Sequence, residues 1–130
     1  MRILVAMFFG LWAGHLAAQD VDCDTATAQM ELTYCAEQEW TRADEDLNDA
    51  YRAAMVLMKS IDAGLPQAER GAEANLRAAQ RAWVTFRDAA CAAEGYPMHG
   101  GSAEPMVIYG CRAQVSAQRA KSLWELAESY

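Results

Sequence analysis

Four cysteines, Cys23, Cys35, Cys91 and Cys111, constrain this 130-residue chain more than any other feature. What they do depends on the compartment, which the opening segment MRILVAMFFGLWAGHLAA indicates. Arg2 supplies a short positive start, an apolar run follows from Ile3 to Trp12, and small residues close the segment at Ala17 and Ala18. That is the layout of an export signal. The apolar run is too short to span a bilayer and is interrupted by Gly14 and His15, so no membrane anchor is expected after cleavage. Residues 1–18 are read as the signal peptide, and residues 19–130 as one domain, periplasmic or secreted. An even number of cysteines in an exported chain implies disulfides. A metal site needs ligands closer together than gaps of twelve and twenty residues, and more histidine than His99. No metal or other cofactor is expected.

Helical periodicity accounts for nearly all of the remaining chain. From about Thr25 to Asp62, the residues Trp40, Leu47, Tyr51, Ala54, Met58 and Ile61 recur at spacings of three, four and seven, with Asp44 on the same stripe. The segment AGLP then offers a terminating Gly64 and a Pro66 that can open another helix. From about Gln67 to Glu94, Leu76, Ala79, Trp83, Phe86 and Ala90 form a second stripe. The segment EGYPMHGGSAEP reads as a loop from its three Gly and two Pro. A third helix from about Met106 carries Ile108, Cys111, Val115, Ser122 and Leu126. No stretch alternates as a strand does. The expected fold is all-α, an antiparallel bundle of three long helices stapled by two disulfides, with a break in the first helix near Cys35 left open.

If the second and third helices run antiparallel across the Gly-rich loop, Cys91 and Cys111 come level, which favours that pair. Cys23 and Cys35 remain. A continuous helix over Ala26 to Cys35 rises roughly 13 Å, whereas bridged Cα atoms lie within about 7 Å. The bond therefore requires the chain before about Ala28 to fold back.

Charge is spread unevenly. Between Asp20 and Ala50 there are ten acids and one base, and the rest of the mature chain is close to neutral. That balance argues against nucleic acid as a partner and would steer a cationic protein toward the N-terminal half. The acidic turn Asp44, Glu45, Asp46 and Asp49 is one candidate contact. The loop His99, Gly100, Gly101 and Ser102 is the other, because adjacent glycines open backbone shapes closed to other residues.

In QRAWVTFRDAAC, Gln80, Trp83 and Arg87 share one side of a helix. They suit either an interface anchored by an aromatic and an arginine, or a packed seam. The seam reading is preferred. It places Trp83 and Phe86 in the core, pairs Arg87 with a carboxylate such as Asp44, and has Asn48 hydrogen-bond a neighbouring helix, with Gln80 as the suggested partner. No catalytic constellation is assembled: His99 and Ser102 lack a third orienting group, and the four cysteines are assigned to bridges. A binding protein is expected, not an enzyme.

Three fragments resemble one family. They are DCDTATAQMELTYCAEQEWTRADEDLNDAY, LRAAQRAWVTFRDAAC, and GGS followed by the closing Cys111 helix with QRAKSLWEL. The chain is similar, from about Asp22 to Leu126, to the lysozyme inhibitor LprI N-terminal-domain-like family of small exported helical proteins. The resemblance implies a disulfide-bonded envelope or secreted module bridged Cys23–Cys35 and Cys91–Cys111. It also implies inhibition of a lysozyme-type muramidase, a cationic protein. A second expectation, from a different class, is an accessory module of the cell envelope without inhibitory activity.

Overall fold

A computed structural model describes residues 21–129; the export signal expected at residues 1–18 lies outside them. Three long helices, α1 (Gln29–Gly64), α2 (Ala72–Gly95) and α3 (Glu104–Glu128), are joined through short 3₁₀ turns at Gln67–Glu69 and Tyr96–Met98. No strand occurs among the described residues. Contacts fix the directions. Asp62 reaches Gly71 across the first turn, Arg87 meets Asp44, and Cys91 is bridged to Cys111. Consecutive helices therefore run antiparallel, which leaves α1 and α3 parallel, with Trp40 on Tyr109 and Asp46 beside Trp124.

α1 does not break near Cys35; it is continuous over 36 residues, about 54 Å. The fold-back occurs before it. The Asp22 carboxylate accepts from the Asp24 amide and the Thr25 hydroxyl, turning the chain, and Glu31 accepts from the Ala28 amide at the start of the helix. The turn brings Cys23 to 5.6 Å from Cys35, Cα to Cα, and the two are bridged. α1 consequently starts at Gln29, later than periodicity alone suggests.

α2 also starts late, at Ala72, because its N-terminus is fixed from α1. The Asp62 carboxylate accepts from the backbone amides of Gly71, Ala72 and Glu73 at 2.9–3.0 Å. These amides have no partner within their own helix, and an acidic cap also complements the helix dipole. The same three bonds hold the Asp62 carboxyl below its ordinary pKa. At the other end, Gly95 lies where a Cβ would stand 2.6 Å from Ile108 Cγ1, so the close approach of α2 to α3 needs glycine there.

The core is small-sided. Leu47, Ala50, Ala54 and Met55 of α1 pack with Leu76 of α2 and with Ala120 and Leu123 of α3. Ala50, Ala54 and Ala120 are fully buried. Bare methyl groups let α1 and α3 approach closely, and theirs is the most extensive helix pair. Three expected stripe positions, Ala79, Phe86 and Ser122, turn outward. Phe86 is 65% exposed, because Arg87 takes the inward place. Ser122 is exposed while Leu123 is buried. Cys91–Cys111 is buried between α2 and α3, with Cα atoms 5.5 Å apart.

Candidate functional site

The middle of the bundle is polar. The Arg87 guanidinium is buried, and its Nη1 donates to Asp44 Oδ1 at 2.7 Å and to the fully buried Ser116 Oγ at 3.3 Å. Its Nε donates to Asp88 Oδ1 at 3.0 Å. The guanidinium also lies 5.3 Å from the Trp83 ring centroid and 5.7 Å from that of Trp40. Arg112 covers Trp40 at 4.8 Å, and its Nε lies 3.3 Å from Asp88. Two guanidinia, two carboxylates and two indoles thus tie all three helices together. Trp83 is half-buried here, and the opening residues of QRAWVTFRDAAC face different neighbours: Gln80 Oε1 accepts from Arg119 Nε of α3 at 3.1 Å. Burial lowers the pKa of Arg119 from its ordinary value.

This arrangement divides the acidic turn. Asp44 is committed to Arg87, and Asp46 accepts from Trp124 Nε1 at 3.0 Å. Glu45 and Asp49 remain on the surface, where Asp49 pairs with Arg52. Asn48 is exposed, not buried, and donates to Asp44 one turn back; it does not bond Gln80. The reason is geometric: Asn48 and Gln80 line one open groove between α1 and α2, with Tyr51 and Arg81.

The glycine loop is held by its own helix. Glu104, at the start of α3, accepts from the Gly100 amide at 2.8 Å and lies 3.0 Å from His99 Nδ1. Those bonds lower the Glu104 pKa, the contact with His99 contributing most. His99 stacks on Tyr96 with ring centroids 4.6 Å apart. Gly100 has φ +76°, a conformation that disfavours any side chain. The Gly101 amide donates to Met98 O, and the loop turns Ser102 toward the start of α1.

There Ser102 meets residues that sequence reading passed over. A groove of about 550 Å³ is lined by Gln29, Met30, Thr33, Tyr34 and Glu37 together with Ser102. Met30 is 83% exposed and Tyr34 44%. The Cys23–Cys35 bridge ties the preceding segment to the same end of α1, bringing Asp22, Asp24 and Glu31 into the neighbourhood. The available signal was the pair of large apolar residues, Met30 and Tyr34, spaced i and i+4 away from the main stripe. Among the described residues no cysteine is free and no cluster of His, Cys, Asp and Glu could hold a metal ion. This end sets exposed apolar side chains beside carboxylates.

Comparison with known proteins bears on the family and the fold. The sequence profile of a family described as "Lysozyme inhibitor LprI" matches residues 22–123. An uncharacterized protein of Rhizobium meliloti (strain 1021) is 41% identical over 111 residues, covering 83% of this chain and 80% of that protein. The crystal structure of a DUF1311 family protein from Pseudomonas putida KT2440 superposes with a TM-score of 0.67 at 28% identity. That match covers 80% of this chain and 97% of the other.

Proposed function

Because this chain belongs to the lysozyme inhibitor LprI family, we propose that it is an exported binding module that inhibits a cationic, lysozyme-type muramidase. It docks through the disulfide-tied end of its bundle. The observation that carries the reading is the Met30–Tyr34–Glu37–Ser102 groove. An aromatic ring and a methionine that can be desolvated are the residue types that anchor protein interfaces. Glu31, Glu37 and the Asp22–Asp24 turn supply the negative field that attracts a cationic partner and fixes its orientation. The outward pair Glu45 and Asp49 extends that field along α1, whereas Asp44 and Asp46 are engaged by Arg87 and Trp124. The two disulfides and the family support an extracytoplasmic location, in the periplasm or outside the cell.

The test is a muramidase assay with the oxidised mature protein titrated against a c-type lysozyme at low and high salt. Stoichiometric inhibition that weakens as salt rises is expected. Tyr34→Ala should raise the inhibition constant about tenfold or more, as truncation of an interface anchor does. Glu37→Lys should act mainly by slowing association. No inhibition at high micromolar protein would remove this reading and leave the accessory envelope module.

A further inference from the structure

The groove between α1 and α2 has the opposite chemistry from the bundle end. Its volume is about 540 Å³, within the range of roughly 300–1,000 Å³ typical of small-molecule sites. Arg77 and Arg81 line it and no carboxylate does, in a chain where acids outnumber bases eighteen to eleven. Arg81 makes no ion pair among the described residues. Arg77 pairs with Glu73 at i and i+4, both partly exposed, and a pair of that kind holds its partner only weakly.

The rest of the lining is suited to a polar ring. Tyr51 and Val84 give the groove apolar surface. Gln80 has its carbonyl oxygen engaged by Arg119, which leaves its NH₂ to donate. Asn48 donates to Asp44, which leaves its own carbonyl oxygen to accept. The Thr85 hydroxyl donates to the Arg81 carbonyl and likewise retains an oxygen that can accept. Donors and acceptors on both walls match hydroxyl groups, and a guanidinium matches a carboxylate through two parallel bonds. An extended polyanion is disfavoured, because Glu73 on α2 and Glu45 and Asp49 on α1 flank the groove.

We propose that this α1–α2 groove binds a small carboxylate-bearing sugar, with Arg81 receiving the carboxylate and the Asn48 and Gln80 amides the hydroxyls. The proposal does not depend on muramidase inhibition, which uses a different surface.

Two matched probes test it. N-acetylmuramic acid and N-acetylglucosamine differ by one lactyl carboxylate. Each is titrated into the isotope-labelled oxidised protein at constant ionic strength while backbone amide resonances are followed. The acid sugar is expected to bind with a dissociation constant of about 1 mM, as a weak ligand of this size does. Shifts should fall at residues 48–51 and 77–85. Arg81→Gln should weaken binding about tenfold, the consequence of losing a charged hydrogen-bond partner, and should leave the thermal midpoint unchanged because the side chain is exposed. Arg77→Gln should weaken it less. Equal binding of the neutral sugar, shifts outside the two segments, or indifference to both variants overturns the assignment. Inorganic phosphate binding as tightly as the sugar acid overturns the sugar half of it.

Discussion

Replacing Arg87 with Met tests whether the polar centre stabilises the bundle or merely occupies it. Met keeps an unbranched apolar stem of similar reach, so the variant removes charge and hydrogen bonds without opening a large cavity. Three losses follow from the geometry. Ser116 Oγ is fully buried and loses a donor, which costs about 1–2 kcal/mol. Asp44 and Asp88 lose a cation, but their side chains are 38% and 43% exposed. Water can rehydrate both, so each contributes only about 0.5 kcal/mol. Stacking on Trp40 and Trp83 adds roughly 1 kcal/mol. The expected destabilisation is therefore about 3 kcal/mol. It should be read by urea unfolding with both disulfides intact, followed by circular dichroism and by tryptophan fluorescence. A double-mutant cycle with Asp44→Asn should show a coupling of about 0.5 kcal/mol, since the two side chains touch but Asp44 is partly hydrated. Buried ion pairs are at times replaceable by apolar groups at no loss. If Arg87→Met unfolds within about 0.5 kcal/mol of the parent, the guanidinium contributes nothing net, and the reasoning is refuted.

Leu47→Ala, at a position 2% exposed, should cost about 2–4 kcal/mol by the same assay, with the slope against urea unchanged. Gly95→Ala drives a Cβ into Ile108, and about 1–2 kcal/mol of overpacking should outweigh the gain in helix propensity. Gly95→Ala should cost less in an Ile108→Ala background than in the parent, and an equal cost in both would show that the contact is not the cause. Asp62 has its pKa lowered from 3.8 in the fold. Its contribution is therefore complete above that value and lost as pH falls through the lower folded value. Asp62→Asn should be less stable than the parent near neutrality, and the gap should close in acid. Glu104, depressed in the same direction, adds acid sensitivity that both proteins share, so a gap that does not narrow as pH falls below 3.8 would show that Asp62 acts otherwise than as an ionised cap.

Periodicity located the three helices and most of the α1 stripe, because Leu47, Tyr51 and Ala54 face inward at spacings that only a helix produces. The errors have a common origin. An apolar stripe assumes that the inward position is apolar, and here Arg87 and Ser116 hold inward positions while Phe86 and Ser122 turn outward. An arginine with partners on two other helices can occupy a core site, but those partners lie 43 and 29 residues away in sequence. A carboxylate on the α1 stripe marked Asp44 as one partner, whereas nothing in the local pattern marked Ser116. The acidic turn was legible in part. Its charges and the pairing of Asp44 with Arg87 were visible, but the hydrogen bond that Asp46 accepts from Trp124, 78 residues on, was not. The cap from Asp62 escaped notice because its helix begins ten residues later.

The two surfaces of opposite sign raise the question of whether they interfere. Tyr34 and Glu37 line one groove, Asn48 and Tyr51 the other, and all four lie on the continuous helix α1. Fourteen helical residues separate Tyr34 from Asn48, about 21 Å along the axis. At physiological ionic strength the screening length is about 8 Å, so Arg81 contributes almost nothing to the field at Glu37, and Glu37 almost nothing at Arg81. Rigidity preserves the separation: α1 is pinned at its start by Cys23–Cys35, at its middle by Arg87, and at its end by Asp62. Of the carboxylates beside the second groove, Asp44 is held by Arg87, Glu73 and Asp49 are paired on the surface, and Glu45 faces solvent. The bundle can therefore present an acidic, aromatic end to a cationic protein and a guanidinium-lined groove to an anion. The salt dependence measured at one surface reports on that surface alone.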